Sequence, residues 1–555
     1  MHSSTNFKKH FRGWLSYAFA SEVFVIVSLT LFLPICLEQF ARDNGYLLPD
    51  KVQRCVVDKQ TSESSERCVV KIGWLWIDSA SFSLYVYSIS VALQALTVIS
   101  VGGIADHPPH RKKLLLGFAV SGAIAAMLFL ALPSSSPIWF LAAILAAVAN
   151  VGFGVSVVAM NAYLPSLARE SPEVVNALVN LQEAERLEAT SSSPDEDTAH
   201  ESDDVDAHEQ PLIQRSSIKL DELRSVYDNE LSRATSRISS MGIALGYAAG
   251  ICLLIVALIP VTKLKGTTFA LRLAIGLSGV WWAVFSIPAA LWLPGTGSST
   301  IAGERENGVW TSAEDIGGKW SAWREIKAAW RRLGGMLRWS EIKKLRNTFK
   351  YLAAWFLLSD GFTTISSTAI LFAKTSLKMP ASSLILIGVL TPMSGILGSL
   401  IWPKLQQKFG WSNLKVLVTL LVLSSLVPVY GCFGFLSIFQ GHFGGLTTPG
   451  EMFGLAVYFG LMYGAFQGYA RAFYAELIPP GEEARWYALF SITDKSSSFV
   501  GPLIVGLISD LSGNIRYSFF FLVFMIWSAI PILLAVDVQK GRKDAQMYRY
   551  GASSR

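Results

Sequence analysis

Stretches of roughly twenty mostly apolar residues recur along the chain. They begin near Arg12, Ser81, Leu114, Ile138, Ile238, Leu271, Phe349, Ser383, Leu414, Met452, Trp486 and Tyr517. A helix rises about 1.5 Å per residue, so each stretch matches the hydrocarbon thickness of a bilayer. About twelve membrane-crossing helices are expected, giving an all-α membrane protein, and no period-two alternation competes with them. Composition agrees: 52% of the 555 residues are hydrophobic and only 16% are charged, too apolar for an ordinary soluble enzyme. The first apolar run lies between charged flanks and lacks a small-residue cleavage site, so it reads as a retained helix and not a signal peptide.

An even number of crossings places both termini on one side. Lys8, Lys9 and Arg12 precede the first helix, Arg111, Lys112 and Lys113 follow the second, and Lys404, Lys408 and Lys415 flank the eighth and ninth. Lys540, Arg542 and Lys543 follow the last. By the positive-inside rule these loops and both termini are expected to be cytosolic. The loop after the first helix opposes the rule with Lys51, Arg54, Lys59, Arg67 and Lys71, although long loops obey it weakly. Cys55 and Cys68 share that loop, where an oxidising compartment allows a disulfide; two free thiols are the alternative. Cys36, Cys252 and Cys432 read as packing residues. No Asn-x-Ser/Thr sequon occurs, so nothing argues for a glycosylated cell-surface protein.

Charged residues inside the apolar windows mark the candidate site, because a charge at the bilayer centre costs roughly 2.5–3.5 kcal/mol unless a partner or water meets it. Tyr463, Gln467, Arg471 and Tyr474 recur at spacings of four, four and three, and so share one helical face. Ser491, Asp494, Lys495 and Ser498 form a similar stripe on the next helix. The hairpin ELIPPGEEAR joins the two, so Arg471 and Asp494 are expected to meet, as a structural pair or as substrate contacts. Lys495 points about 100° away from Asp494 on an ideal helix and is expected to find another partner. Ser21-Glu22 and Ser359-Asp360 occupy similar depths in the opening helix of each half. Both acids are expected to line a cavity; satisfaction by the hydroxyls of Ser21, Ser359 and Thr363 is the plainer reading. Gln94, Asn150 and Asn161 read as helix–helix hydrogen-bonding residues.

Six helices, a long linker and six more imply two six-helix bundles. Residues 1–160 would hold helices one to four, 161–237 an acidic disordered insert, and 238–293 helices five and six. Residues 294–347 would form a linker, 348–537 helices seven to twelve, and 538–555 a cytosolic tail. The insert is rich in Ser, Asp and Glu and cannot bury enough surface to fold alone. Its segment AHEQPLI resembles an acidic dileucine signal, with His208 at the place of the usual acid, and would make sorting adaptors a partner. In the linker, Trp320, Trp323, Ile326, Trp330, Leu333 and Leu337 repeat every three or four residues among Arg324, Lys327, Arg331, Arg332 and Arg338. That pattern suits an amphipathic helix on an anionic leaflet, or one packed beneath the bundles.

After the second helix, GGIADHPPHRKK resembles the loop between helices two and three of the major facilitator superfamily. Gly102, Asp106, Arg111 and Lys112 match in type and order, whereas His107 and Pro109 depart, and Trp402 stands where the repeat of the motif wants an acid. Four longer segments narrow the resemblance: GWLSYAFASEVFVIV, FLPICLEQFARDNG, NAYLPSLARE and FYAELIPPGEEARWYALFSITDKSSSFVGP resemble the autophagy-related protein 22 family of fungal vacuolar transporters. The resemblance implies a multi-pass vacuolar membrane protein of major facilitator type, without cofactor, that exports amino acids to the cytosol after autophagic breakdown. Under that implication Glu22 and Asp360 would meet a substrate ammonium, and Arg471 or Lys495 its carboxylate. Tyr463 and Tyr474 would meet a large neutral side chain, and protons from an acidic lumen would be the coupling partner. Other small solutes (sugars, nucleosides, peptides) and a non-transporting structural or signalling role stay open. An enzyme is not supported, since no nucleophile elbow or phosphate loop occurs and the seven histidines are scattered without ligand spacing. Nothing points to nucleic acid.

Overall fold

The computed structural model describes residues 2–55, 67–106, 108–191, 209–295, 321–436, 444–479 and 483–548. The first crossing is composite: α1 (His2–Val23), a π-helical segment (Phe24–Phe32) and α2 (Leu33–Asp43). Pro34 has no N–H for the carbonyl four residues back, and the turns before it are wound wider, with Leu33 N–H donating to Ser28 O. A small antiparallel sheet follows, β1 (Tyr46–Leu47), β2 (Cys68–Ile72) and β3 (Leu75–Asp78), in that order, with Val69 opposite both Tyr46 and Asp78. Cys55 and Cys68 are disulfide-bonded beside it.

The first half continues through α3 (Ser79–Asp106), α4 (Pro108–Leu128), α5 (Leu141–Asn161), α6 (Leu164–Arg169), α7 (Pro172–Ser191), α8 (Glu209–Lys263) and α9 (Thr268–Trp292). Two linker helices, α10 (Ala322–Met336) and α11 (Trp339–Lys344), lead into the second half. That half comprises α12 (Arg346–Thr375), α13 (Ala381–Phe409), α14 (Asn413–Phe433), α15 (Pro449–Ala475), α16 (Glu483–Ser497), α17 (Val500–Ser512) and α18 (Ser518–Leu534), with α19 (Val538–Met547) after it. Among the described residues ten helical segments are long and apolar enough to cross a membrane. α15 and the broken helix α16–α17 complete two bundles of six, the major facilitator arrangement expected from the sequence.

Helix extends into both flanks of the segment expected to be a disordered insert. Val174, Ala177 and Leu181 of α7 are buried, as are Ala234 and Ile238 of α8, against which α7 packs. This apolar seam supplies the burial that the acidic stretch alone lacks. Arg237 clasps the pair with bonds of 3.0 and 3.1 Å to Glu173, which hold the Glu173 carboxyl below its usual range. Residues 192–208, including His208, lie outside the described residues. In the linker, α10 packs along α3, Trp330 Nε1 donates to Ser100 Oγ at 3.1 Å, and Met336 is buried. Trp323 remains exposed, and Trp320 lies outside the described residues. Of the facilitator-like loop, Arg111 Nε donates to Ala105 O at 3.0 Å beneath the Tyr163 ring, and Lys112 Nζ reaches Leu293 O at 2.9 Å. His107 lies outside the described residues.

Candidate functional site

The two halves meet along a seam that is tight at one end. The π segment and α2 touch α12, and α3 runs along α16 and α17, whereas α1 packs within its own half on α8 and α9. Ser81 and Ser88, seven residues apart on one face of α3, donate to the carbonyls of Gly506 at 2.9 Å and Phe499 at 2.6 Å. Glu22 sits in the last turn of α1, where the helix gives way to the π segment. Its stem lies against α8 because that helix presents Gly242, Gly246 and Gly250 to Trp14, Glu22 and Ile26; a Cβ on Gly246 would come within 2.4 Å of Glu22 Cγ. Glu22 is half-buried and has no hydrogen-bond partner among the described residues. The cations whose charge reaches it are Lys495 and Arg471. Both belong to the other half.

On the opposing wall, α15 turns Tyr463, Gln467 and Arg471 to the seam. Gln467 Nε2 donates to Tyr463 Oη at 2.9 Å, and the Tyr463 ring stacks on Phe362 and Phe459 with centroids 5.4 Å away in each case. Arg471 is exposed, and among the described residues no hydrogen bond or ion pair holds its guanidinium. It does not pair with Asp494, contrary to the expectation from the hairpin. Asp494 accepts instead from Ser359 Oγ and lies 3.4 Å from Lys495 Nζ. The angular offset that separates neighbouring Cβ atoms is overcome by the four-carbon stem of lysine, which bends back to the carboxylate.

Asp360 occupies a different environment from Glu22. It is 2% exposed; Gly501 N–H donates to its Oδ1 at 3.0 Å and Oδ2 at 2.8 Å, and Thr364 Oγ1 adds a bond of 3.3 Å. Pro502 explains the site. It has no N–H for Ser498 O, so the eleventh crossing breaks between α16 and α17, and the N-terminus of α17 offers its free N–H to a carboxylate. The hydroxyls also fall differently from expectation. Ser359 serves Asp494, Thr364 and not Thr363 serves Asp360, and Ser21 Oγ is buried without a partner among the described residues.

Tyr474 shares the ideal face of Arg471 but is fully buried. Its hydroxyl donates to Trp486 O at 2.9 Å, and its ring stacks on Tyr351 and Phe490. α16 covers that end of the face, so Tyr474 belongs to the core of the second half. Two tyrosines that sequence reasoning did not single out take its place. Tyr247, next to Gly246, lies within reach of the charges of Glu22 and Arg471, and Tyr87 of α3 within reach of Asp360 and Asp494. Both also face Tyr463. The four-residue glycine spacing on α8 is the sequence signal that could have located this wall. Gln94 and Asn150 join helices, with Gln94 Nε2 donating to Asn150 O at 2.8 Å and Asn150 Nδ2 to Ser90 Oγ at 2.9 Å, while Asn161 is exposed. Among the described residues no group of three or more His, Cys, Asp or Glu is arranged to hold a metal ion. Among the described residues the seam thus offers a carboxylate without a hydrogen-bond partner from one half, a guanidinium without one from the other, and tyrosines from α3, α8 and α15 within reach of these charges or of one another.

Residues 6–546 match the family described as vacuole effluxer Atg22 like. Autophagy-related protein 22 of Cryptococcus neoformans var. neoformans serotype D is 42% identical, over 97% of this chain and 96% of its own. Autophagy-related protein 22-1 of Neosartorya fischeri is 38% identical over 97% and 91%. Among solved structures, the xylose transporter XylE from E. coli superposes with a TM-score of 0.53 at 11% identity, covering 95% of each chain. A bacterial homologue of the iron transporter ferroportin gives 0.52 at 12% identity, covering 96% of this chain and 98% of its own. The nucleoside transporter NupG gives 0.52 at 11%, covering 95% and 99%.

Proposed function

Because the chain belongs to the Atg22-like family of vacuole effluxers, we propose that it exports amino acids from the vacuole lumen to the cytosol by alternating access. In this orientation the termini are cytosolic and the disulfide-bonded loop is lumenal, in keeping with the short basic loops. The observation that carries the reading is that Glu22, which accepts no hydrogen bond among the described residues, lies within charge reach of Lys495 and Arg471 of the other half, and that the Arg471 guanidinium has no hydrogen bond or ion pair among the described residues. A zwitterion supplies what both lack: an ammonium for Glu22 and a carboxylate that the planar fork of Arg471 can hold with two bonds. A neutral sugar would leave both charges unmet, and an unmet charge in a low-dielectric cleft is costly. Tyr463, Tyr247 and Tyr87 suit a large neutral side chain such as that of leucine. Glu22 is also the carboxylate on which a proton from an acidic lumen would travel with the substrate.

The purified protein in vesicles loaded with labelled leucine provides the test. Unlabelled leucine should compete, whereas 4-methylpentanoate, which lacks the ammonium, and isopentylamine, which lacks the carboxylate, should not. Glu22→Gln should weaken leucine binding by roughly 10- to 100-fold, the worth of a charged hydrogen bond, and flatten the dependence of efflux on lumenal pH. Competition by sugars or nucleosides with none by amino acids would remove the proposal.

A further inference from the structure

The closed end of the seam, some helical turns away from Glu22, carries a second group of charges that substrate export does not use. Arg67 stands next to disulfide-bonded Cys68, at the root of β2. Its side chain crosses to the other half, where Nη2 donates to Asp510 O at 2.8 Å and Ser509 O at 3.3 Å, the last-turn carbonyls of α17. Gly513 ends α17 at φ +76°, and a Cβ there would come within 2.8 Å of Arg67 Nη1, so glycine gives the guanidinium its place. Arg67 Nε lies 3.6 Å from Asp78 Oδ2, while Asp510 Oδ1 accepts Asp78 N–H at 2.8 Å. Behind them Glu38 of α2 is fully buried. Its Oε1 accepts from Arg42 Nε at 3.0 Å and Ser79 Oγ at 3.4 Å, and its Oε2 is buried without a partner among the described residues.

Three carboxylates therefore face two guanidiniums in a site where two of the acids are mostly or wholly out of water. The charges that act on Asp78 are Arg67 from the loop, Asp510 from α17 and Glu38 from α2; Tyr85 of α3 faces Asp510 and Asp78, and Arg42 faces Glu38. One negative charge is left over when the halves come together, and a buried oxygen of Glu38 stands open. We propose that Asp78, set among Arg67, Asp510 and Glu38, is a proton-binding site whose occupancy holds the lumenal side shut, with Arg67 as the latch between the halves. Burial already holds the Asp78 carboxyl above the usual carboxylate range; the Ala80 N–H and Arg67 oppose this, and Asp510 and Glu38 add to it. When the halves part, Asp78 returns to water and to its ordinary affinity for protons. The closed arrangement thus binds the proton more tightly, and by linkage acid favours closure. A lumenal proton would close the gate behind a loaded substrate, and neutralising the lumen would release it.

The inference rests on the proposed orientation only in calling this side lumenal. Spin labels at exposed Leu75 of β3 and Leu511 of α17, in protein with Cys36, Cys252 and Cys432 replaced by Ala, report the distance across the latch in lipid nanodiscs. The short distance should dominate at pH 5 and give way to a longer one by pH 7.5. Asp78→Asn, which keeps the acceptor for Ala80 but cannot titrate, should hold the short distance at both pH values, and Asp510→Asn should reduce the response. Arg67→Ala should lengthen the distance at both. A wild-type distance that ignores pH, or an Asp78→Asn protein that still follows it, overturns the proposal. No substrate is present, so a failure of amino-acid export would leave this result standing, and the reverse.

Discussion

Both carboxylate oxygens of Asp360 lie within 3.0 Å of a single backbone nitrogen, that of Gly501. The contact joins α12 to the first turn of α17 and anchors the break in the eleventh crossing at the depth where Asp494 and Lys495 end α16. An anion at a helix N-terminus satisfies donors that hydrocarbon cannot. Asp360→Ala should therefore destabilise the protein by about 1.5–3 kcal/mol, the worth of a charged hydrogen bond, visible as a lower melting temperature in detergent. Asp360→Asn, which still offers an acceptor oxygen, should recover part of the loss. Unchanged melting in both would mean that Gly501 finds water instead.

The two cations near Glu22 are not equivalent. The charge of Lys495 is shared with Asp494 at 3.4 Å, whereas Arg471 has no such partner among the described residues. Arg471→Met should raise the KM for leucine efflux roughly tenfold or more, the loss of one charged contact, while Lys495→Met should change it by about threefold or less. The opposite order would assign the substrate carboxylate to Lys495.

How much of this was legible in the sequence depends on what each feature obeys. Bilayer thickness dictates apolar length, so the twelve windows, the two bundles and the linker helix could be read directly. Glu22 and Asp360 looked alike because helix position was all that could be compared. Their difference arises from Pro502, nearly a hundred and fifty residues after Asp360, whose missing N–H frees a helix terminus for one acid and not the other. Tyr474 differs from its sequence reading for a similar reason. Helical spacing gives a face but not what covers it, and α16 closes over the end of that face. The pairing of Asp494 with Lys495 depended on a flexible stem, which ideal Cβ directions do not describe. Composition hides the helices at the flanks of the acidic insert, since the apolar residues that pack there, Val174, Ala177 and Leu181, precede its acidic stretch.

The disulfide carries a prediction of its own. Cys55 and Cys68 are 13 residues apart, and opening a loop of that size costs about 2–4 kcal/mol in chain-entropy terms. Cys55→Ser and Cys68→Ser should lower the melting temperature equally, and reducing agent should bring the wild type down to the same value. A larger effect of Cys68→Ser alone would show that packing of that side chain against Gly45, where its sulfur sits 2.6 Å from a would-be Cβ, matters more than the bond.

Gly246 offers the sharpest separation of site geometry from general stability. A methyl group there would meet Glu22 Cγ at 2.4 Å and Glu22 Cβ at 2.7 Å, too close for either to stay. The nearest remedy is for the acid to shift, because the next atom, Ala18 O at 3.3 Å, belongs to the main chain. A displacement of about 1 Å in a positioned group can cost as much as 10²-fold, so Gly246→Ala should weaken leucine transport by roughly 10- to 100-fold. Gly468→Ala is the matched control: it lies on α15, a turn before Arg471, and a Cβ there has nothing within 4 Å. It should transport as the wild type does. If the two variants behave alike, Glu22 is not held against α8 in the transporting state, and the carboxylate that meets the substrate must be sought elsewhere. If Gly246→Ala fails while Gly246→Ala combined with the shorter acid Glu22→Asp recovers, the close approach of α1 and α8 is what places the charge.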